Sequence, residues 1–261
     1  MKEVNGMKAF VLAGGKDHIH IEGCVNKAIL PIEGKPMLQY IVHALRDSAY
    51  IDGIAIVGDV ALLKEHVELD GSRDILLQGE EKMIDNVIKG LDYFQDQEWM
   101  LLITSDIPFI HSAAIDHFIQ ASLDSGGDLC YPIISKETQY RAFPEMKRTY
   151  VRLREGSFTG GNMMMIRPRI KDNCVTLARH MIENRKKPWR MVQILGLGFL
   201  VQLLLGMLTV EKLENRIGSL AHIKPKAIIT PYPEVGNDID KPEDVDLLKK
   251  YWGKYQEDAR Y

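Results

Sequence analysis

The sequence predicts an α/β fold, a mainly parallel sheet with helices on both faces. Three observations lead there. Strand-length apolar runs alternate with segments of helical period through the first half of the chain. These runs are apolar throughout, as strands buried between two layers of helix are. The composition, 46% apolar and 26% charged over 261 residues, supplies enough apolar side chains for a large core.

Each element follows from its residues. The first strand, 7–12, ends abruptly in Ala13-Gly14-Gly15. Pro36 suits the first turn of a helix, and Met37, Leu38, Ile41, Val42 and Leu45 follow at helical spacing. GIAIV at 53–57 is a second strand, closed by Gly58-Asp59. A helix is expected over 61–69, a short strand over 74–77, and a helix over 82–94 with Met83, Val87, Leu91 and Phe94 on one face. WMLLIT at 99–104 is a fourth strand, stopped by Asp106-Ile107-Pro108; a helix over 112–123 and a strand over 128–134 follow.

The rhythm then changes. Residues 135–155 carry Lys136, Arg141, Lys147, Arg148, Arg152 and Arg154 with Tyr140, Phe143 and Tyr150 interleaved, and 149–154 alternates like a half-exposed strand. This stretch suits either a solvated hairpin face or a wall for an anionic acceptor. Thr159-Gly160-Gly161-Asn162 leads into a buried strand at 163–166. A helix over 168–185 breaks at Arg185-Lys186-Lys187-Pro188-Trp189-Arg190. An amphipathic stretch at 210–220, a last buried strand at 226–230 and a helix opened by Pro242 complete the chain, with Glu243 and Asp244 favourable against the helix dipole.

Residues 191–210 carry no charge across twenty positions, the minimal length of a membrane span, behind a basic flank with a tryptophan. Gln193, Gln202, Gly196, Gly198, Gly206 and Thr209 interrupt the run. It reads as a core or dimer-packing element first, a membrane-surface element second and a span last. A homodimer or a peripheral membrane contact through 189–210 is the matching expectation.

Composition also excludes. Lys+Arg 33 against Asp+Glu 36 leaves a net charge of -3, which gives no support to a nucleic-acid partner held by bulk electrostatics. Cys24, Cys130 and Cys174 are far apart and form no CxxC pair, against both a zinc site and a disulfide framework. The reducing cytoplasm is the expected location. The first ten residues lack the apolar core of a signal peptide.

The loop at 10–36 organises the chemistry. A strand that ends in paired glycines lets backbone N–H groups converge on an anion, and Lys27 and Lys16 add positive charge. The reading is a triphosphate cradle, against a plain turn after a first strand. Ligands of open parallel sheets sit at the carboxyl ends of the strands. That edge gathers Gly14-Gly15, Asp59, Gln78-Gly79 and Asp106. Magnesium takes oxygen ligands and needs only one or two carboxylates; Asp106, Asp238 and Asp240 are the candidates. The same aspartates also suit turn and capping roles. His18 and His20 lack an evident third ligand for a metal.

Taken together, Leu12-Ala13-Gly14-Gly15, Lys27, Leu30-Pro31 and Gly34-Lys35-Pro36 resemble the opening of the MobA-like nucleotidyltransferases. Ser105-Asp106-Ile107-Pro108 resembles that family's metal-binding D-x-P. The run from Asp238 to Asp244, DIDKPED, resembles its closing element, and Gly161-Asn162 its acceptor-side element. The resemblance covers 8–166 and 225–248. It implies a three-layer α/β/α, Rossmann-like domain of the GT-A type over 1–261, with a family-atypical helical insertion at about 167–220.

The resemblance also implies roles. Leu12, Ala13, Gly14, Gly15 and Lys16 would meet the nucleotide, Lys27 its phosphates, and Gln78, Gly79 and Asn86 the base region. Lys27 and Asp106 would be catalytic. Asp106 with Asp238 or Asp240 would hold Mg2+. Arg141, Arg148, Arg152, Gly161 and Asn162 would hold a small phosphorylated acceptor, which attacks the α-phosphorus of an NTP and releases pyrophosphate. The family loop usually carries an arginine where this chain has KDHIHIEG at 16–23. Lys16 supplies a point charge but not a bidentate fork. A nucleotide-sugar glycosyltransferase and a non-catalytic nucleotide-binding protein are the alternatives; the first would favour a D-x-D motif, which Ser105-Asp106-Ile107-Pro108 is not.

Overall fold

The computed structural model describes residues 6–14, 24–184, 190 and 196–258. The strands are β1 (Met7–Leu12), β2 (Pro31–Ile32), β3 (Lys35–Pro36), β4 (Ile51–Gly58), β5 (Asp74–Gln78), β6 (Met100–Thr104), β7 (Leu129–Ser135), β8 (Val151–Leu153), β9 (Gly156–Gly160), β10 (Met163–Ile166) and β11 (Pro225–Ile229). The helices are α1 (Met37–Arg46), α2 (Val60–His66), α3 (Met83–Tyr93), α4 (Ser112–Ser125), α5 (Lys136–Ala142), α6 (Lys171–Asn184), α7 (Leu197–Leu204), α8 (Val210–Ala221) and α9 (Pro242–Asp258).

The central sheet runs β5-β4-β1-β6-β10-β7-β9-β8, with β11 on the other edge of β7. Strands β5, β4, β1 and β6 are mutually parallel, and β11 is parallel to β7. Strand β10 is antiparallel to both β6 and β7. The expected mainly parallel sheet is therefore present, interrupted by one reversed ribbon.

Helices cover both faces because β1 is apolar throughout. Ala9 and Val11 pack with Met37, Ile41 and Leu45 of α1 and with Ile115 and Phe118 of α4. Phe10 and Leu12 point the other way, to Leu91 of α3 and to Phe94 and Ile170. A strand's period of two makes these two cores from one run. Gly90 is needed on α3: a Cβ there would sit 2.7 Å from the Phe10 ring.

The changed rhythm after 134 resolves into more structure than its sequence suggested. Residues 136–142 form α5, capped by the Ser135 hydroxyl, which accepts from Thr138 N–H. Residues 151–160 form the β8–β9 hairpin. Strands β9 and β10 are one ribbon broken at Gly161-Asn162. Cys130 pairs with Met165 and Ile133 with Gly160, so Tyr131 and Pro132 face the four residues 161–164. This bulge turns β9 away from β6 toward β8 and opens a gap beyond the end of β6.

Candidate active site

The strand ends supply the bare wall of the site. Gly14 follows β1, Gly58 ends β4 and Gly79 follows β5. A Cβ on Gly14 would lie 3.2 Å from the Gly58 Cα, and one on Gly79 would lie 3.1 Å from it. On Gly58 it would meet the Ala13 carbonyl at 2.9 Å. Three adjacent strand ends thus meet backbone to backbone. Asn26 ties the returning loop to this edge: its amide donates to the Ala13 carbonyl at 3.1 Å and its Oδ1 accepts from Ala28 N–H at 2.9 Å. That bond starts the short helical turn that holds Lys27.

Beyond β6, Ser105 N–H donates to the Leu12 carbonyl at 3.1 Å, fixing the 105–106 turn beside β1. Thr104 Oγ1 donates to Asp106 Oδ1 at 2.6 Å. The 237–240 segment meets this turn through Ile239, whose N–H donates to the Asp106 carbonyl at 2.9 Å. Ile239 is fully buried in the core. Its neighbours on either side, Asp238 and Asp240, project from the opposite side of the extended backbone. One carboxylate oxygen from each of Asp106, Asp238 and Asp240 falls within 4.8 Å of the others.

Two cations hold this trio. Lys27 Nζ donates to Asp106 Oδ2 at 3.0 Å and to Asp240 Oδ1 at 2.5 Å. Arg148 donates to Asp238 Oδ1 at 2.7 Å and to its backbone carbonyl at 2.9 Å. Behind them Asn237, fully buried, accepts from Gln139 at 2.6 Å. His111 lies 2.8 Å from buried Glu234 at the start of the same loop. Burial pulls the Lys27 ammonium down, but Asp106 and Asp240 outweigh it and its pKa is raised. Burial pushes Asp238 up to about 7, opposed by Arg148 and reinforced by Asp106 and Asp240. Burial also raises Asp240, but Lys27 more than reverses this and holds it below its ordinary value.

Asp238 and Asp240 of the trio border a cavity of about 890 Å3. Its walls include Lys147, Arg148 and Thr149, the Thr159–Asn162 edge of the bulge, and Asp238 and Asp240. Asn162 N–H donates to the Val235 carbonyl at 2.9 Å, and its own carbonyl accepts from Thr104 N–H at 3.0 Å. The bulge therefore ties the cavity to the carboxylates.

The structure brings together Leu12, Ala13, Gly14, Lys27, Asp106, Asp238, Asp240, Arg148, Gly161 and Asn162. Gly15, Lys16, His18 and His20 lie outside the described residues. Gln78 and Gly79 lie on the glycine-lined edge. Asn86 is buried, with both ends of its amide bonded to the Glu80 backbone at 2.7 and 3.0 Å, so it shapes the 78–80 turn. Arg141 lies away from the cavity, on the exposed face of α5, paired with Glu137 at 2.9 Å. Arg152 packs beside Gly206 rather than on the cavity. Thr104, Asn26, Gln139 and Asn237 carry no motif and escape a sequence reading; only their hydrogen bonds mark them.

A model of the MobA-like NTP transferase domain matches residues 9–185. The chain belongs to this family. A hypothetical transferase from Thermus thermophilus is 32% identical to this chain, with a TM-score of 0.78 over 92% of this chain and 99% of that one. The 2-C-methyl-D-erythritol 4-phosphate cytidylyltransferase of Clostridium novyi (strain NT) is 28% identical over 129 residues. That match takes in 47% of this chain and 55% of the relative, so the chain spans about half the length of the curated relative it matches. The 4-diphosphocytidyl-2C-methyl-D-erythritol synthase of Anaerococcus prevotii DSM 20548 shares the fold, at 12% identity and a TM-score of 0.59 over 96% of this chain and 97% of that one.

Proposed function

We propose that this chain transfers a nucleoside monophosphate from an NTP to a small phosphorylated acceptor. The observation that carries the reading is the convergence of Asp106, Asp238 and Asp240 beside Lys27, between a glycine-walled edge and a polar cavity. An oxygen-only donor set of carboxylates suits a hard divalent cation, and Mg2+ is the proposed ion. Asp106 with Asp238 or Asp240 would hold it. When bound, it supplies charge neutralisation for the triphosphate.

The protein's own groups do the rest. The backbone at Ala13 and Gly14 lets phosphates approach without side-chain obstruction. With the carboxylates engaged by such an ion, the Lys27 ammonium would be available to the triphosphate. Lys147, Arg148 and Asn162 line the acceptor side. An acceptor phosphate oxygen attacks the α-phosphorus, the bond from the α-phosphorus to its bridging oxygen breaks, and pyrophosphate leaves. Catalysis rests on positioning and charge, so no catalytic triad is required. A cytidylyltransferase among the relatives makes CTP the first nucleotide to test.

The test is pyrophosphate release, screened over the four NTPs and a panel of sugar, alditol and cofactor phosphates. Release with one NTP–acceptor pair, abolished in a folded Asp106→Asn variant, is the expected result. Nucleotide binding with no release from any acceptor would overturn the catalytic reading in favour of a binding protein.

A further inference from the structure

We propose that α7 and the turn after it form a docking face for an anionic lipid surface. Apart from Gln202, the sequence of the helix is apolar. Phe199 and Leu203 point inward and pack with Leu153 and Phe158 on the β8–β9 hairpin and with Leu208 in the turn after α7. Leu197, Val201, Leu204 and Leu205 follow at i, i+4, i+7 and i+8 on the opposite stripe. They are 68%, 45%, 76% and 65% exposed, and Met207 extends the patch at 58%. A helix that needed only to pack on the hairpin would be polar on that stripe. No helix among the described residues is long and apolar enough to cross a membrane. The face therefore lies on its partner instead of inserting through it.

The rim identifies the partner. Arg152 lies within 3.2 Å of where a Gly206 Cβ would be, and Arg216 within 3.8 Å of that position at Gly196. Lys212 Nζ donates to Gln202 at 2.9 Å. Beside these three cations lies Glu155, bonded to Val210 N–H, and Glu211 is exposed at the start of α8. The rim is positive although the whole chain has a net charge of -3. A two-fold contact between copies sets identical surfaces together, so two such rims would repel. A bilayer with acidic headgroups accepts both the apolar stripe and its basic border.

Vesicle flotation of the full chain tests this. The expected result is binding to mixed phosphatidylcholine–phosphatidylglycerol vesicles, weak binding to phosphatidylcholine alone, and weakening with added salt. The double variant Leu204→Glu, Leu205→Glu should lose about tenfold or more in partitioning, because it places charge on the apolar stripe. Arg152→Glu with Lys212→Glu should abolish the preference for acidic lipid. Circular dichroism checks the fold of each variant. No flotation of the parent chain overturns the proposal. So does a dimer, seen by light scattering and lost in the leucine variants, without vesicle binding. Neither outcome touches the nucleotidyl-transfer reading.

Discussion

Lys27 and Asp240 are 213 residues apart in sequence and 2.5 Å apart in space, and the same ammonium reaches Asp106 at 3.0 Å. One lysine thus joins the first loop of the chain to the end of β6 and to the segment before α9. It stands where the proposed divalent ion would neutralise the same carboxylates.

Replacing that lysine should separate two effects. Lys27→Met removes a competitor for the carboxylates, so Mn2+ alone should bind more tightly, as read by electron paramagnetic resonance. Turnover should fall by roughly 10²-fold, the scale for losing one group that stabilises transition-state charge. Unchanged Mn2+ affinity would remove the idea of a resident cation.

The raised Asp238 carboxyl makes a pH prediction. Its ordinary value is 3.8 and its value in the folded chain is about 7. Between these limits the folded state holds a proton that the unfolded state has lost. This group's contribution to stability therefore falls as pH rises from about 4 to about 7 and is flat above. Metal binding has the opposite slope, because the ligand must be ionised. Divalent-cation affinity should rise as pH climbs toward 7 and level off beyond it, with Asp238→Asn flattening the profile. Calorimetric titration at several pH values measures this.

Two arginines that look alike in sequence should behave differently. Arg148 is largely buried and makes two charge-assisted bonds to Asp238. Arg148→Ala should cost about 2 kcal/mol of stability, the scale for hydrogen bonds to charged groups. Below pH 7 it should also weaken cation binding, because without Arg148 burial keeps the Asp238 ligand more fully protonated. Arg141→Ala should change neither, since its pair with Glu137 is exposed. Urea unfolding of the two variants makes the comparison.

The glycine edge can be tested at its centre. Gly58→Ala places a methyl 2.9 Å from both the Ala13 carbonyl and Leu63. The strand ends must part, at a cost of about 1–3 kcal/mol for overpacking. Nucleotide affinity should fall too, because the wall for the phosphates shifts. A stable variant with parental NTP binding in a thermal-shift titration would show that the close approach is not needed.

Much of the frame was legible in one dimension. The uniform apolarity of 7–12, 53–57 and 99–104 predicted strands buried on both faces, and β1, β4 and β6 are the adjacent parallel strands of the centre. The turns after them were readable because glycine and aspartate at strand ends have local causes. Residues 135–155 were harder. Helix α5 rests on a serine cap amid mixed charge, and the β8–β9 hairpin gains its stability from the α7 side chains packed on it.

By itself, then, the sequence determined the central strands, the glycine turns and the identity of the candidate ligands Asp106, Asp238 and Asp240, because periodicity and turn chemistry are local. Only the tertiary structure decided that these ligands meet, that Lys27 and Arg148 divide them, and that Arg141 and Arg152 stay apart from the cavity. Those outcomes depend on a buried Ile239 docking on the Asp106 backbone and on a bulge at Gly161-Asn162 that opens the sheet. Such long-range contacts are set by packing between distant segments, which no local pattern encodes.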